Sequence, residues 1–144
     1  MQHFAVRHLG FAHTTREEII NNHTTVIAST LFGKGKLILL MDSTYIYIEK
    51  SNDHLLARLT YCVYKKRQLV KPMIMCTTTG YVVCVAGPYL TNGKNSDSDI
   101  LLHMLEGELS KFLQPEDIIV ADRGFQNAVE SARRKAKFTL KIPV

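Results

Sequence analysis

A chain of 144 residues fits one domain and can bury a sizeable core. Its hydrophobic share of 46% and mean hydropathy of −0.02 describe a globular protein, and no run approaches the ~18 apolar residues that a membrane span needs. A net charge of +5 permits a polyanionic partner without requiring one. The opening stretch Met1–Arg7 lacks the apolar core of a signal peptide, so the expectation is an intracellular protein with no membrane contact. Three cysteines, Cys62, Cys76 and Cys84, form no CxxC and are odd in number, which predicts reduced thiols; Cys76 and Cys84 lie in apolar runs.

In chain order, residues 1–35 read as a helical segment that precedes the core. Thr15-Arg16-Glu17-Glu18 has the form of a capping box. Ile19, Ile20, Val26, Ile27 and Leu31 follow at roughly helical spacing, until Gly33-Lys34-Gly35 breaks the chain. His3, His8 and His13 recur every five residues, which does not gather them on one helical face. The core is expected over 36–144. Leu37–Met41 is an apolar strand running into Asp42, and Tyr45-Ile46-Tyr47-Ile48 is rich in strand formers. Ser51-Asn52-Asp53 reads as a turn, and Leu59–Tyr64 as further sheet or an irregular insertion.

A hairpin is predicted from Pro72–Cys76, the turn Thr77–Gly80 and Tyr81–Val85, ended by Gly87-Pro88. Ser96–Asp99 offers N-cap residues for a helix whose Ile100, Leu101, Met104, Leu105, Leu109 and Leu113 keep helical periodicity up to Pro115. A second apolar strand, Ile118–Ala121, runs into Asp122. A helix over about 126–136 and a last strand over 138–142 complete the pattern. Three hairpin-joined strands followed by helix-linked strands predict an α/β fold with a ribonuclease-H-like mixed sheet.

Asp42 and Asp122 carry most of the functional signal. A carboxylate at the end of a buried strand costs free energy unless it is neutralised. If the two strands are neighbours, two like charges meet at one sheet edge, and a divalent cation is the usual remedy. That arrangement points to two-metal phosphoryl transfer. The alternative is two ordinary strand-ending aspartates that make turns or cap helices. Two basic knots, Lys65-Lys66-Arg67 with Lys71 and Arg133-Arg134-Lys135 with Lys137 and Lys141, are candidate phosphate contacts if they flank the acids, and solvated surface otherwise.

Three segments resemble a known family. Leu39-Leu40-Met41-Asp42-Ser43-Thr44-Tyr45-Ile46-Tyr47-Ile48 is similar to the D-G-T-x-I-x-I signature of the DDE superfamily endonucleases, of the Harbinger/PIF transposase type, with Ser43 in place of the usual Gly. Gly87-Pro88-Tyr89 with Gly93–Leu101 resembles the family's G-x-x-H-D-x-x-I-L segment, with Ser96 where a His is common. Val120-Ala121-Asp122-Arg123-Gly124-Phe125 resembles its D-[KR]-G-[YF] segment. The resemblance covers roughly residues 36–142. It implies catalytic carboxylates at Asp42 and Asp122, metal ligation by Asp42, Asp122 and Asp97, and Mg²⁺ or Mn²⁺ as cofactor. It also implies DNA as partner, a separate DNA-binding domain or protein for target choice, and a nuclear location. The family's third carboxylate, a Glu on a helix beyond the last strand, has no counterpart before Val144, and Glu130 reads as a surface helix residue. The resemblance therefore implies either a cleavage core that is weak or inactive alone, or a non-catalytic DNA-binding or protein-interaction module descended from one.

Overall fold

The computed structural model describes residue 4 and residues 7–93, 95–136 and 138–142, the side chains of 135 and 136 excepted. Hydroxyl caps open the first two helices. The Thr15 side chain accepts from the Glu18 N–H at 3.2 Å to start α1 (Arg16–Asn22), and Thr25 accepts from the Ala28 N–H at 3.3 Å to start α2 (Val26–Phe32). Of the apolar residues at helical spacing, Ile19 is fully buried in the main core and Ile20 packs against it, but the three on α2 point to solvent. Val26, Ile27 and Leu31 are 80%, 73% and 71% exposed, whereas Ala28 and Phe32 pack against Ile38, Ile118 and Val120. Positions 28 and 32 are also one helical turn apart, so periodicity alone could not choose between the two edges.

Among the described residues seven strands form the sheet: β1 (Ile38–Ser43), β2 (Ile46–Tyr47), β3 (Tyr61–Cys62), β4 (Arg67–Thr77), β5 (Val82–Leu90), β6 (Ile118–Ala121) and β7 (Thr139–Lys141). Its main order is β5-β4-β1-β6-β7. The β5/β4 and β4/β1 pairs are antiparallel, and the β1/β6 and β6/β7 pairs parallel. This is the ribonuclease-H-like mixed sheet that the sequence predicts. β2 and β3 add short pairings to the far half of β4.

Several local expectations change. Of the stretch Leu59–Tyr64, expected as further sheet or an irregular insertion, Tyr61–Cys62 does join the sheet as β3, whereas Leu59 and Thr60 end a helix, α3 (His54–Thr60), which Asp53 caps by accepting from the Leu56 N–H at 2.7 Å. Gly87-Pro88 lies inside β5 instead of ending it, because the β4/β5 register shifts between Lys71 and Met73 and removes the proline from the ladder. The single helix expected before Pro115 is two, α4 (Asp97–Leu105) and α5 (Glu108–Phe112), divided at Gly107. After β6 a 3-10 segment (Arg123–Ala128) precedes α6 (Val129–Ala136).

Leu39, Met41, Met73, Met75, Ile119 and Ala121 form the sheet's share of the main core. Ile100, Leu101, Met104 and Leu105 of α4 belong to the same core, together with the fully buried Ile19, Phe125, Phe138 and Ala132. The opposite face is thinner. Leu40 is 36% exposed, so β1 is fully covered on one side only, and not on both as its unbroken apolar run suggests.

Asp117 ties the elements together. It is 1% exposed and accepts from the Leu37 N–H at 3.2 Å, from the Gln114 N–H at 2.7 Å and from both terminal nitrogens of the Arg16 guanidinium. Its own carbonyl accepts from the Thr139 N–H at 2.8 Å. One residue, by its carboxylate and its carbonyl, thus ties α1, β1, β6 and β7 together. Asp117→Ala should cost about 3 kcal/mol in urea unfolding, because it strands a mostly buried guanidinium and two backbone donors. Asp117→Asn, which keeps an acceptor oxygen, should cost less. Equal melting of Asp117→Ala and the unaltered chain would show that the knot carries no stability.

Candidate active site

β1 and β6 run parallel, in register from Ile38↔Ile118 to Met41↔Ala121. The next residue on each strand is an aspartate. Asp42 and Asp122 therefore leave the same end of adjacent strands, whose axes are ~4.8 Å apart. Both residues are exposed. Each also makes the local bond of an ordinary turn aspartate: Asp42 Oδ1 accepts from the Ser43 N–H at 2.8 Å, and Asp122 Oδ1 from the Gly124 N–H at 2.8 Å. The turn role and a ligand role are compatible, since a carboxylate offers about four lone-pair sites.

Asp97, the first residue of α4, approaches from the core side of the sheet. Its Oδ1 accepts from Ser43 Oγ at 2.6 Å and lies 2.7 Å from Lys71 Nζ. Its Oδ2 faces Gly124. A Cβ placed on Gly124 would fall 2.7 Å from Asp97 Oδ2 and 3.0 Å from Asp122 Oδ1. The carboxylates of Asp97 and Asp122 thus crowd the same point, and only a glycine leaves it open. Ser98 Oγ donates to the Gly124 carbonyl at 3.0 Å and holds the loop against α4. Asp42 joins this pair only through its neighbour Ser43.

Lys71 is a correction. The sequence groups it with the surface knot at 65–67, but its side chain is 7% exposed and engages Asp97, with a further bond to the Asn95 carbonyl at 3.3 Å. Strand alternation explains this, since Lys71 shares its side of β4 with the buried Leu69, Met73 and Met75. An ammonium there is tolerated because a carboxylate meets it. Nothing in the sequence marks Lys71 or Ser43 as a partner of Asp97.

Hard oxygen donors at Asp42, Asp122 and the free side of Asp97 match the chemistry of Mg²⁺ or Mn²⁺. Even so, no group of three or more His, Cys, Asp or Glu side chains is gathered into a ready metal site among the described residues. The acids fit a cation as a partial seat, with Lys71 already offsetting one of them. Of the spaced histidines, His13 Nδ1 bonds the Gly10 carbonyl at 2.5 Å, and His3 lies outside the described residues.

Glu130 is 82% exposed and pairs with Arg134 at 3.2 Å, as a surface helix residue does. Lys65, Lys66 and Arg67 sit exposed at the β3–β4 turn, where Lys66 has φ 53°. Arg133 is exposed on α6, while the side chain of Lys135 and residue Lys137 lie outside the described set.

A shallow cavity of about 190 Å³ beside Asp42 is lined by Leu40, Thr44, Ile74 and Cys76. Burial pushes the Cys76 thiol above its ordinary pKa, and the Asp42 charge pushes it further. The raised thiol favours folding at pH below the ordinary thiol value, and that contribution fades as pH rises through the raised one. Asp42→Asn should lower the Cys76 pKa and speed its alkylation by iodoacetamide at pH 8–9. An unchanged rate would mean that the Asp42 charge is not felt at the cavity.

Gly124→Ala should destabilise the fold by about 2 kcal/mol through overpacking against pinned carboxylates. In an Asp97→Ala background the same change should cost less, since the nearer oxygen is gone. A double-mutant cycle with no coupling would disprove the crowding.

The family model of the DDE superfamily endonucleases matches residues 41–139, more than half of the chain and the stretch that holds Asp42, Asp97 and Asp122. No curated protein matches the sequence. Among solved structures, a piggyBac transposase in a synaptic complex with hairpin DNA aligns at 20% identity with a TM-score of 0.42. That alignment covers 74% of this chain and 23% of the transposase chain, so the present chain spans less than a quarter of that protein. By the match over residues 41–139, the chain belongs to the DDE superfamily endonucleases.

Proposed function

We propose that this chain is the DNA strand-cleavage and strand-transfer core of a Harbinger/PIF-type transposase, or of a protein derived from one. The observation that carries the reading is the pair Asp42 and Asp122 at the tips of adjacent parallel strands, inside the span matched by the family. A divalent cation, Mg²⁺ or Mn²⁺, supplies the positive charge that activates a water or 3′-hydroxyl and stabilises the leaving oxygen in an in-line displacement at phosphorus.

The chain's own part is to hold and orient. Asp42 and Asp122 would provide oxygen ligands from the strand ends, and Asp97 would add the oxygen that faces Gly124. Lys71 and Ser43 fix the Asp97 carboxylate, and Gly124 keeps the space between the acids clear. With Lys71 neutralising Asp97, metal binding is weak, and cleavage by this chain alone is slow or nil. Residues 1–35 act as the segment leading into the core, a separate DNA-binding domain or protein supplies target choice, and the working compartment is the nucleus.

Millimolar Mn²⁺ or Mg²⁺ should raise the melting temperature by mass action on the folded state, and Asp42→Asn or Asp122→Asn should blunt the rise. An equal rise in both variants would place the cation elsewhere. A rise matched by monovalent salt at the same ionic strength would reduce the effect to screening.

The second reading is a non-catalytic DNA-binding or protein-interaction module. The Lys71–Asp97 ion pair favours it, because it sets a protein cation where a metal ligand is expected. Nicking of supercoiled DNA with Mn²⁺, abolished by Asp122→Asn, separates the two.

The cleavage-core reading and the DNA-binding form of the second reading require phosphate contact. Duplex binding should be sequence-tolerant and steeply salt-dependent. Replacing Arg133, Arg134 and Lys135 by Ala should lower both affinity and salt slope. Unchanged binding would reduce α6 to a solvated face and leave Lys65, Lys66 and Arg67 as the contacts.

A further inference from the structure

One surface is not used by the acidic site. Soon after Ser43 the chain passes through Tyr45, 38% exposed, just before the two-residue strand β2, and through Tyr47, 63% exposed, on it. Across β4, the turn after β3 carries Tyr64, 85% exposed, next to Lys65, Lys66 and Arg67. The cations stand over the rings. Lys65 Nζ is 5.2 Å from the Tyr64 centroid and 5.7 Å from that of Tyr45, and Arg67 Cζ is 5.4 Å from that of Tyr47. Lys71 Nζ lies 5.9 Å from the Tyr45 ring and also pairs with Asp97. The aromatic surface is therefore continuous with the acidic edge.

Three large rings left in solvent bring little burial to the fold. Their interleaving with basic side chains meets two demands at once. Unpaired bases stack on aromatic faces, and the flanking phosphates require positive charge. Bases inside a duplex are stacked on each other and offer no face to a protein ring. The patch thus suits a strand that has been opened, and phosphate attraction alone does not call for tyrosine.

We infer that Tyr45, Tyr47 and Tyr64, with Lys65 and Arg67, form a stacking platform for unpaired DNA that leads to the Asp42–Asp122 edge. The inference rests on the DNA reading above and names the form of DNA held there: a single-stranded segment, gripped by its bases as well as its phosphates.

The test is fluorescence anisotropy with three probes of about 12 nucleotides, within the usual site size for such surfaces: oligothymidylate, an abasic strand of equal length, and a duplex. The unaltered chain should bind oligothymidylate roughly tenfold more tightly than the abasic strand. Tyr47→Leu/Tyr64→Leu should erase that preference while leaving abasic and duplex affinity, the salt slope and the melting temperature unchanged. Tyr47→Phe/Tyr64→Phe should retain it. Lys65→Ala/Arg67→Ala should weaken all three probes and flatten the salt slope. A Leu variant that keeps the preference, or loses affinity equally for all probes, overturns the platform. If the unaltered chain binds duplex and abasic strands but shows no preference for bases, the platform falls and the phosphate-binding reading stands. If it binds none of the probes, the DNA reading falls and takes the platform with it.

Discussion

Asp117 sits at the far end of the sheet from the chemistry, yet the candidate site depends on it. Its carboxylate accepts from the Leu37 N–H, and the Ile118 N–H in turn donates to the Leu37 carbonyl at 2.9 Å. Those bonds set the register of two parallel strands about eighty residues apart in sequence. Four pairs later the register delivers Asp42 beside Asp122. A slip of one residue would turn every β1 side chain to the other face and separate the acids. Arg16 keeps the Asp117 charge from being a buried liability, so an ion pair at the closed end helps hold the acids together at the open end.

A second charge balance operates at the open end. Asp97 and Asp122 crowd the same point beside Gly124, and Lys71 offsets the Asp97 charge there. The lysine is fixed by strand alternation on β4, by Asp97 and by the Asn95 carbonyl, so it is pre-placed and not drawn in from solvent. Its ammonium meets the Asp97 charge where an unpaired buried lysine would cost free energy. Through Tyr45 the same side chain also links the acidic edge to the aromatic surface.

The rings at 45, 47 and 64 and the acids at 42 and 122 follow opposite physical rules. The acids are held by register, which is set at a distance. The tyrosines are held by short local pairings, Ile46↔Val70 and Tyr47↔Leu69 for β2 and Tyr61↔Gln68 for β3. Few contacts support them, so this corner is expected to yield to a ligand more readily than the sheet centre does.

What the sequence determined by itself was local or strongly periodic. The capping threonine at 15, the turn at 77–80, the helical spacing from Ile100 to Leu105 and the two apolar runs ending in Asp were all legible, because each is set by neighbours within a few residues. The strand-and-helix order sufficed for the sheet topology, since hairpins force antiparallel neighbours and helix crossovers force parallel ones. What only the tertiary structure decided depends on which surfaces meet. Helix 54–60 was hidden because its cap and its short apolar run also suit a turn and a strand. The outward stripe of α2 was hidden because two helical edges fit the same periodicity. Lys71 looked like surface charge until β4 placed it among core residues opposite Asp97. Gly124 gained its meaning only when α4 brought Asp97 to within a methyl group of Asp122. Residue type and spacing fix what a side chain can do; its charge partner, its burial and its distance from another strand belong to the packed chain.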